Sequence, residues 1–448
     1  MLSSVQGVAI LQRKNRNPHS ARSAVAKTCR NPCTATSAVK SSNLLIEHQC
    51  PQCGAPATLE ETDHLFTCEF CRVKSYILSR VFRYVLPHAA PPNKDLVYLP
   101  YWRFKGMLFF CISSGIKQRI VDVSHQGISS PYFPPSLGLR SQTLKLRFLT
   151  PETEGRFLKP RLTREETENI IDDRFSGHVQ KPIFERSFIG DVFSIIYAPF
   201  YVDNKVYDAV LNRPVSPALP DDFELSSFEG GQANWDIRFI PALCPDCGWD
   251  LEGERASLAL YCKNCNTIWQ ADKGRFLKLR FGRMPEEGES NTYLPFWRIR
   301  ADISGIELES YADLVKAANL PKVIQKGWED MAFRFWIPAF KVRPQDFLRF
   351  GNNLTLSQPQ VDWEPTLPKG NLHPVTLSVQ EAAEGLKLIF ASFIKPRGTM
   401  YPKLPDIEIK AKSFYLAYIP FRQKGNELSQ PAFRLRINKN LLTYALHL

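Results

Sequence analysis

The sequence lacks the long apolar run that a membrane-spanning helix requires. A span takes about eighteen or more consecutive apolar residues, and the longest apolar stretches of this 448-residue chain, Met107 to Ile116 and Val192 to Val202, are shorter. These stretches are typical of buried strands. A secretory signal is missing as well, because Val8-Ala-Ile-Leu is too short for its apolar region. We therefore expect a soluble protein of the cytoplasm.

The sequence also lacks the short motifs of several common enzyme classes. No G-x-x-x-x-G-K-[ST] loop occurs, so no ATP-driven motor is predicted. The motifs G-x-S-x-G, H-E-x-x-H and G-x-G-x-x-G are absent too. An enzyme with an unrecognised site remains open, and a deep polar pocket on which Arg103, Arg298 or carboxylates converge would favour it.

Acidic residues are missing from the first 46 positions, which hold seven Lys and Arg. The formal net charge of the chain is +12, and without this segment fifty basic residues face forty-five acidic ones, an ordinary surface balance. The composition of residues 1–43 predicts a disordered basic tail. It has three interpretations: an organelle transit peptide, which would make the protein organellar, a basic tether to an anionic surface, or sequence upstream of the true start.

Runs rich in Ala and Leu are scarce, whereas the chain has 34 Pro, 30 Phe, 15 Tyr and 8 Trp. This composition favours strands and turns, and the alternation in Arg72 to Val85 and in Phe276 to Phe281 predicts half-buried strands. Helices are expected at about 164–174 and 379–391, each opened by a capping box, and over Tyr311 to Lys326, where apolar residues recur at helical spacing.

Eight of the eleven cysteines form two matching sets of four. CPQCGAPATLEETDHLFTCEFC spans Cys50 to Cys71, and CPDCGWDLEGERASLALYCKNC spans Cys244 to Cys265. In each set, fourteen residues separate two C-x-x-C pairs, which predicts one short hairpin between two tight turns. Pro presets the first turn, and the Gly after it frees the backbone so that amides can approach the sulfurs. This spacing is typical of a zinc site.

The two stretches resemble the rubredoxin-like zinc-ribbon class, which is found in transcription factors, polymerase subunits, helicases and small adaptors. The resemblance covers roughly residues 46–80 and 240–280, and the rest of the chain resembles no family that we recognise. It implies two structural zinc ions held by Cys50, Cys53, Cys68, Cys71, Cys244, Cys247, Cys262 and Cys265.

Paired cysteines have three alternatives to zinc. A thioredoxin-type redox site would open a helix after a buried strand, and that context is absent. Disulfides would need an oxidising compartment, which nothing in the sequence indicates. Iron also fits an all-cysteine cage.

His48 and His64 lie near the first set and are expected to be exposed hairpin residues rather than ligands, and Cys111 is expected to be a buried, inert thiol.

Five landmarks occur twice in the same order, which indicates a tandem duplication over about 44–230 and 231–448. They are the cysteine sets, Tyr98-Leu-Pro-Tyr-Trp-Arg with Tyr293-Leu-Pro-Phe-Trp-Arg, Phe133 to Arg140 with Trp336 to Arg343, the capping boxes Thr163-Arg-Glu-Glu and Ser378-Val-Gln-Glu, and Ala198-Pro-Phe-Tyr with Ile419-Pro-Phe-Arg.

The predicted fold class is a β-rich α+β protein in which each half is a zinc ribbon followed by a mainly antiparallel β domain with one or two helices. The predicted divisions are 1–43 tail, 44–80 first ribbon, 81–230 first β domain, 231–280 second ribbon and 281–448 second β domain.

Two functions are compatible with this organisation. The first is a non-catalytic interaction or scaffold protein that binds protein partners through its ribbons. The second is nucleic-acid binding, in which aromatic and basic residues alternate on one strand of each half and supply stacking and phosphate contacts. The residues predicted for the second function are Phe157, Lys159, Arg161, Phe276, Lys278 and Arg280.

Overall fold

Long antiparallel strand pairs organise the chain. The structure is a computed structural model that describes residues 44–78, 81–138, 144–221, 223–231, 237–285 and 291–445, and these residues belong to one compact unit. The predicted basic tail, residues 1–43, lies outside the described residues. The predicted β-rich α+β class is confirmed.

Thirteen strands precede residue 232 in the described chain. They are β1 Leu45–Gln49, β2 Pro56–Glu60, β3 Leu65–Thr67, β4 Lys74–Leu78, β5 Phe82–Val85, β6 Val97–Ile112, β7 Gly115–Gln126, β8 Leu146–Phe148, β9 Arg156–Leu158, β10 Ile183–Val202, β11 Val206–Asp208, β12 Arg213–Pro214 and β13 Gly230–Gly231. Eleven of them form one sheet around the long pair β6 and β10, in the order β13-β9-β6-β10-β5-β8-β1-β2, with β7 beside β6 and β11 and β12 continuing from β10.

Eleven further strands follow in the described part of the second half. They are β14 Arg238–Pro241, β15 Ala259–Cys262, β16 Thr267–Asp272, β17 Arg275–Leu279, β18 Phe281–Arg283, β19 Asn291–Ser304, β20 Phe335–Pro338, β21 Asn371–Leu372, β22 Glu408–Lys424, β23 Glu427–Gln430 and β24 Leu435–Asn438. The order β20-β19-β22-β23-β24, with β18 beside β22 and β21 beside β19, makes a seven-stranded sheet. The strands β15-β16-β17 and β14-β4-β3 make two small sheets.

The central strand pairs of the two large sheets have the same register. Tyr98 on β6 lies opposite Pro199 on β10, and Tyr293 on β19 lies opposite Pro420 on β22. A short strand runs parallel to the second member of each pair, β5 beside β10 and β18 beside β22. The second and fifth landmarks therefore face each other in both halves, and tandem duplication stays our interpretation of this correspondence, as do the predicted domain boundaries.

The third landmark pair was matched wrongly. The amide of Gly127 donates to the carbonyl of Pro100, and the amide of Ala339 donates to the carbonyl of Pro295, so Gly127 and Ala339 occupy corresponding places. Trp336 lies in β20, whereas Phe133 lies beyond the end of β7. A similar pattern of Pro and apolar residues produced this match without a shared position in the sheet.

Helices occur mainly in the second half. The described α-helices are α1 Arg164–Ser176, α2 Tyr311–Ala317, α3 Pro344–Ser357, α4 Val379–Glu384, α5 Leu386–Phe393, α6 Arg397–Met400 and α7 Lys439–Ala445. The capping boxes predicted at Thr163 and Ser378 are both present. The helix predicted over 379–391 is divided at Gly385, which ends α4 and begins α5. Within the described ranges, none of these helices is both long and apolar enough to cross a membrane.

The helix predicted over Tyr311 to Lys326 is much shorter than expected. It ends after Ala317 because Asn319 adopts a left-handed backbone conformation, with φ 47°, and Pro321 follows two residues later. Helix α3 was not predicted at all. It lies along β20, where Thr355 Oγ1 accepts the amide of Trp336 at 3.0 Å and the side chain of Gln358 bonds both backbone groups of Arg334. A helix thus covers the free edge of this sheet.

The halves share a hydrophobic core. Met107 and Phe109 on β6 and Ile189 on β10 pack among the buried residues of the second half. The rings of Phe109 and Phe347 lie 6.0 Å apart. Burial of this contact holds the two large sheets together.

Candidate metal centres

Each first cysteine pair lies in a tight turn closed by glycine. The amide of Gly54 donates to the carbonyl of Cys50 at 2.9 Å, and the amide of Gly248 donates to that of Cys244 at 2.8 Å. Both glycines have φ 72°, a left-handed conformation that costs other residues about 1–2 kcal/mol. The turn chemistry predicted for Cys-Pro-x-Cys-Gly is confirmed.

The four sulfurs of each set lie together. In the first tetrad the Sγ atoms of Cys50 and Cys71 are 3.8 Å apart and those of Cys53 and Cys68 are 3.7 Å apart. In the second tetrad the corresponding Sγ separations are 3.4 Å for Cys244 with Cys265 and 3.5 Å for Cys247 with Cys262. All ligand atoms within a tetrad lie within 4.8 Å of one another. Four sulfurs at about 2.3 Å from a central zinc would be about 3.8 Å apart, whereas a disulfide needs about 2.05 Å. Each tetrad could therefore hold a metal ion.

The protonation chemistry of the thiols also favours a cation. A backbone amide of Cys71 lowers the pKa of Cys68 to about 6, and the side chain of Asn264 lowers the pKa of Cys247 to about 6. Burial instead raises the pKa of Cys262 to about 12. Clustered sulfurs thus resist ionising together, and a bound cation would allow all four to become thiolates.

The hairpin predicted in the first ribbon is wrong, whereas the one in the second ribbon is confirmed. Strand β2 pairs with β1 and β3 pairs with β4, so β2 and β3 do not pair with each other. In the second ribbon, Glu252 and Tyr261 exchange two backbone hydrogen bonds of 2.8 and 2.9 Å. In the first ribbon, β2 and β3 therefore belong to two different sheets.

The two ribbons share one small core. Strand β14, which leads into the second tetrad, pairs with β4 of the first ribbon. Leu65 and Tyr76 pack in one cluster with buried residues of the second ribbon: Ala242, Cys244, Leu251, Leu260, Cys262 and Trp269. The carbonyl of Arg255 also accepts the amides of His64 and Leu65 at 2.7 and 2.8 Å. The ribbons are therefore packed as one body.

The two histidines near the first tetrad are half-buried, so their expected exposure is wrong. His48 stacks on Phe239 of β14 with ring centroids 5.0 Å apart, and burial lowers the pKa of His64 to about 4. The packing of the second ribbon against the first, which the sequence does not reveal, covers both. Cys111 is buried, as expected, and burial raises its pKa to about 12.

The residues predicted for nucleic-acid binding differ in burial and in their partners. Phe157 is only 4% exposed and stacks on Tyr98 at 4.5 Å, so a base could not stack on it. Lys159 pairs with Glu229 at 2.9 Å, and an Arg161 nitrogen donates to the carbonyl of Ser227 at 2.9 Å.

In the second half, Phe276 is half-buried and packs edge-on against Tyr76 at 5.7 Å. Lys278 pairs with Asp246 at 2.7 Å, and both Lys278 and Arg280 are exposed. A role of these six residues in nucleic-acid binding stays a prediction.

A buried ionic cluster next to the first ribbon was not predicted. Glu61, directly after β2, contacts Arg103 and also pairs with Lys105 at 2.8 Å. Asp122 on β7 binds Arg103 through two bonds of 2.9 Å. Burial by itself would raise the pKa of Glu61, but Arg103 and Lys105 hold it at about 2. Arg103 therefore joins the ribbon to the sheet, because it pairs with Glu61 of the ribbon and with Asp122 of the sheet.

Comparison of the chain with protein-family models, curated proteins and solved structures found no match.

Proposed function

We propose that the protein is a zinc-binding, non-catalytic interaction or scaffold protein whose two ribbons each contain one structural zinc ion. The observation that carries the proposal is the closed four-sulfur geometry of both tetrads. Four thiolates complete the tetrahedral coordination of zinc and leave no position for water or substrate. A metal held in this way stabilises the fold and does not act as a Lewis acid.

Metal content tests the zinc part of this proposal. The full chain, purified after growth with zinc and measured by mass spectrometry of the metal, should contain two zinc ions per chain. Cys68→Ser should retain one, and Cys111→Ser, a control that removes a buried thiol outside both tetrads, should retain two. Iron in place of zinc, or two metal ions in Cys68→Ser, would contradict the proposal.

The exposed aromatic residues of the cysteine turns support the interaction part. Phe70, between Cys68 and Cys71, is 68% exposed, and Trp249, next to the turn glycine of the second ribbon, is 60% exposed. Large aromatic side chains are enriched at the centres of protein interfaces. A metal ion bound by the neighbouring cysteines would hold the backbone at each aromatic residue in place.

Quantitative enrichment of bound proteins tests this part. We expect Phe70→Ser or Trp249→Ser to reduce the amount of co-purifying protein by at least about tenfold. This is the effect that the loss of one interface anchor predicts. Val323→Ser is the matched control, because Val323 is apolar and 86% exposed but lies outside the ribbons. If the wild type and all three variants enrich the same proteins equally, Phe70 and Trp249 are not contact residues.

A further inference from the structure

Three arginines lie on one face of the seven-stranded sheet. Arg298 on β19 lies opposite Tyr415 on β22 and opposite Trp336 on β20. Arg300 lies opposite Ser413, and Arg334 precedes Trp336 by two residues, so the period of two in a strand places all three on the same face. We call Arg298, Arg300 and Arg334 the arginine triad.

Aromatic side chains form one wall beside the triad. The guanidinium of Arg298 lies 5.6 Å from the ring centroid of Tyr415. Trp363 packs against both Tyr415 and Trp336, with ring centroids 6.3 and 5.7 Å apart. This wall therefore holds the Arg298 guanidinium at cation–π distance from Tyr415.

The triad has no acidic partner among the residues that the structure describes. Neighbouring charges on the same sheet are paired: Lys412 with Asp302 at 2.7 Å and Arg283 with Glu364 at 2.5 Å. In contrast, the guanidinium of Arg334 donates to a neutral group, the carbonyl of Phe333, at 2.7 Å. Arg298 and Arg334 are half-buried, and a partly buried charge is normally compensated by an opposite one.

The electrostatics of the triad agree with an uncompensated cluster. Burial lowers the pKa of Arg334, and the charges of Arg298 and Arg300 lower it further. Burial also lowers the pKa of Arg298. An anion between the three guanidinium groups would relieve this repulsion.

We propose that the arginine triad binds a phosphate group, either of a small phosphate-bearing molecule or of a single-stranded nucleic acid. Arginine presents two parallel donors to phosphate oxygens, and three arginines match an anion with several oxygens and more than one negative charge. Ser413 on β22, which lies opposite Arg300, supplies a hydroxyl as a further donor beside the site. Arg280 extends the basic surface, since its carbonyl accepts the amide of Leu416, next to Tyr415. This site does not depend on the zinc proposal.

Binding of inorganic phosphate and of a fluorescein-labelled oligouridylate to the full chain tests the proposal. Phosphate is measured by calorimetry and the oligouridylate by fluorescence anisotropy, each at two salt concentrations. Arg298→Gln and Arg334→Gln should each weaken binding by about tenfold or more, the effect of losing one charge-assisted pair. Arg436→Gln is the matched control, because Arg436 lies on the same sheet but pairs with Glu427, and its binding should equal that of the wild type.

The stability of the ligand-free variants gives a second readout. Removal of an uncompensated charge should raise the melting temperature of Arg298→Gln and Arg334→Gln while their zinc content stays the same, whereas loss of a merely structural arginine would lower it. If Arg298→Gln fails to fold, Arg300→Gln replaces it, because Arg300 is exposed.

The two ligands separate the two sources of phosphate. Oligouridylate binding that phosphate displaces only weakly would identify a nucleic-acid backbone, and phosphate binding without oligouridylate binding would identify a small ligand. Absence of both from the wild type, or unchanged affinity in Arg298→Gln and Arg334→Gln, would overturn the proposal.

Discussion

At the scale of single residues, the buried ionic cluster shows how one carboxylate can connect a metal ribbon to a sheet. Glu61 is buried together with two cations, Arg103 and Lys105, and its pair with Lys105 measures 2.8 Å. A buried ion pair contributes little compared with an apolar replacement, but removing one partner leaves the other charge uncompensated. The cluster should therefore be sensitive to single substitutions.

We expect Glu61→Gln to lower the free energy of unfolding by about 3–5 kcal/mol at pH 7, because it leaves Arg103 and Lys105 buried without their shared carboxylate. Urea denaturation measures this change. Glu47→Gln is the control, since Glu47 is exposed and forms surface pairs with Lys145 and Arg147, and it should change the free energy by less than about 1 kcal/mol.

The difference in unfolding free energy between the wild type and Glu61→Gln should depend on pH. The folded-state pKa of Glu61, about 2, lies below its ordinary value of 4.5. Its contribution to stability is therefore complete above pH 4.5 and is lost as the pH falls toward 2. The difference in unfolding free energy between wild type and Glu61→Gln should shrink between pH 5 and pH 3, and a difference that grows would contradict this assignment. Release of metal at low pH affects both chains and cancels in the difference.

At the scale of elements, local signals predicted local structure. The cysteine turns, the capping boxes at Thr163 and Ser378 and the strands after each ribbon depend on residues within a few positions of one another, and all are present. The hairpin between β2 and β3 failed because β2 joins the sheet of β1, whereas β3 joins the sheet of β4 and β14, and alternation alone does not reveal which partner a strand takes. Helix α3 was missed because its place along the edge of β20 is set by tertiary contacts. The arginine triad was missed because it is assembled by the pairing of β19 with β20, in which Arg298 lies opposite Trp336.

The turn glycines give a prediction at this scale. A Cβ on Gly54 would meet no atom within 4 Å, so only its φ of +72° opposes substitution. Gly54→Ala should cost about 1–2 kcal/mol of unfolding free energy and weaken zinc binding to the first tetrad by about tenfold, as measured by competition with a chromogenic chelator. Gly398→Ala, at an equally open site without a positive φ, should not weaken zinc binding. Equal effects of the two substitutions would show that the turn conformation is not the cause.

At the scale of the whole molecule, the shared core makes the two metal sites interdependent. Cys262 lies in the same buried cluster as Leu65 and Tyr76 of the first ribbon. Loss of a ligand should unfold the second ribbon and remove this packing from the first. Two ribbons that did not pack against each other would behave differently.

Cys262→Ser should therefore speed the release of zinc from the first tetrad. A loss of about 1 kcal/mol of support corresponds to about a fivefold change, which a chelator assay under non-denaturing conditions can resolve. Cys111→Ser, which removes a buried thiol outside the shared cluster, should release both metals at the wild-type rate. An unchanged release rate in Cys262→Ser would mean that the ribbons are energetically independent.

The pairing of β14 with β4 also has a consequence for synthesis on the ribosome. The small sheet of the first ribbon is completed by residues Arg238–Pro241, which are translated long after Cys71. At ~5–20 residues per second, the stretch from Cys71 to Pro241 takes about 10 to 30 s to make. During this interval the nascent chain carries all four sulfurs of the first tetrad while one edge of β4 still has no strand beside it. The first metal can thus be captured well before its ribbon is finished, and the emerging chain must be kept from pairing that edge with another molecule until Pro241 leaves the exit tunnel.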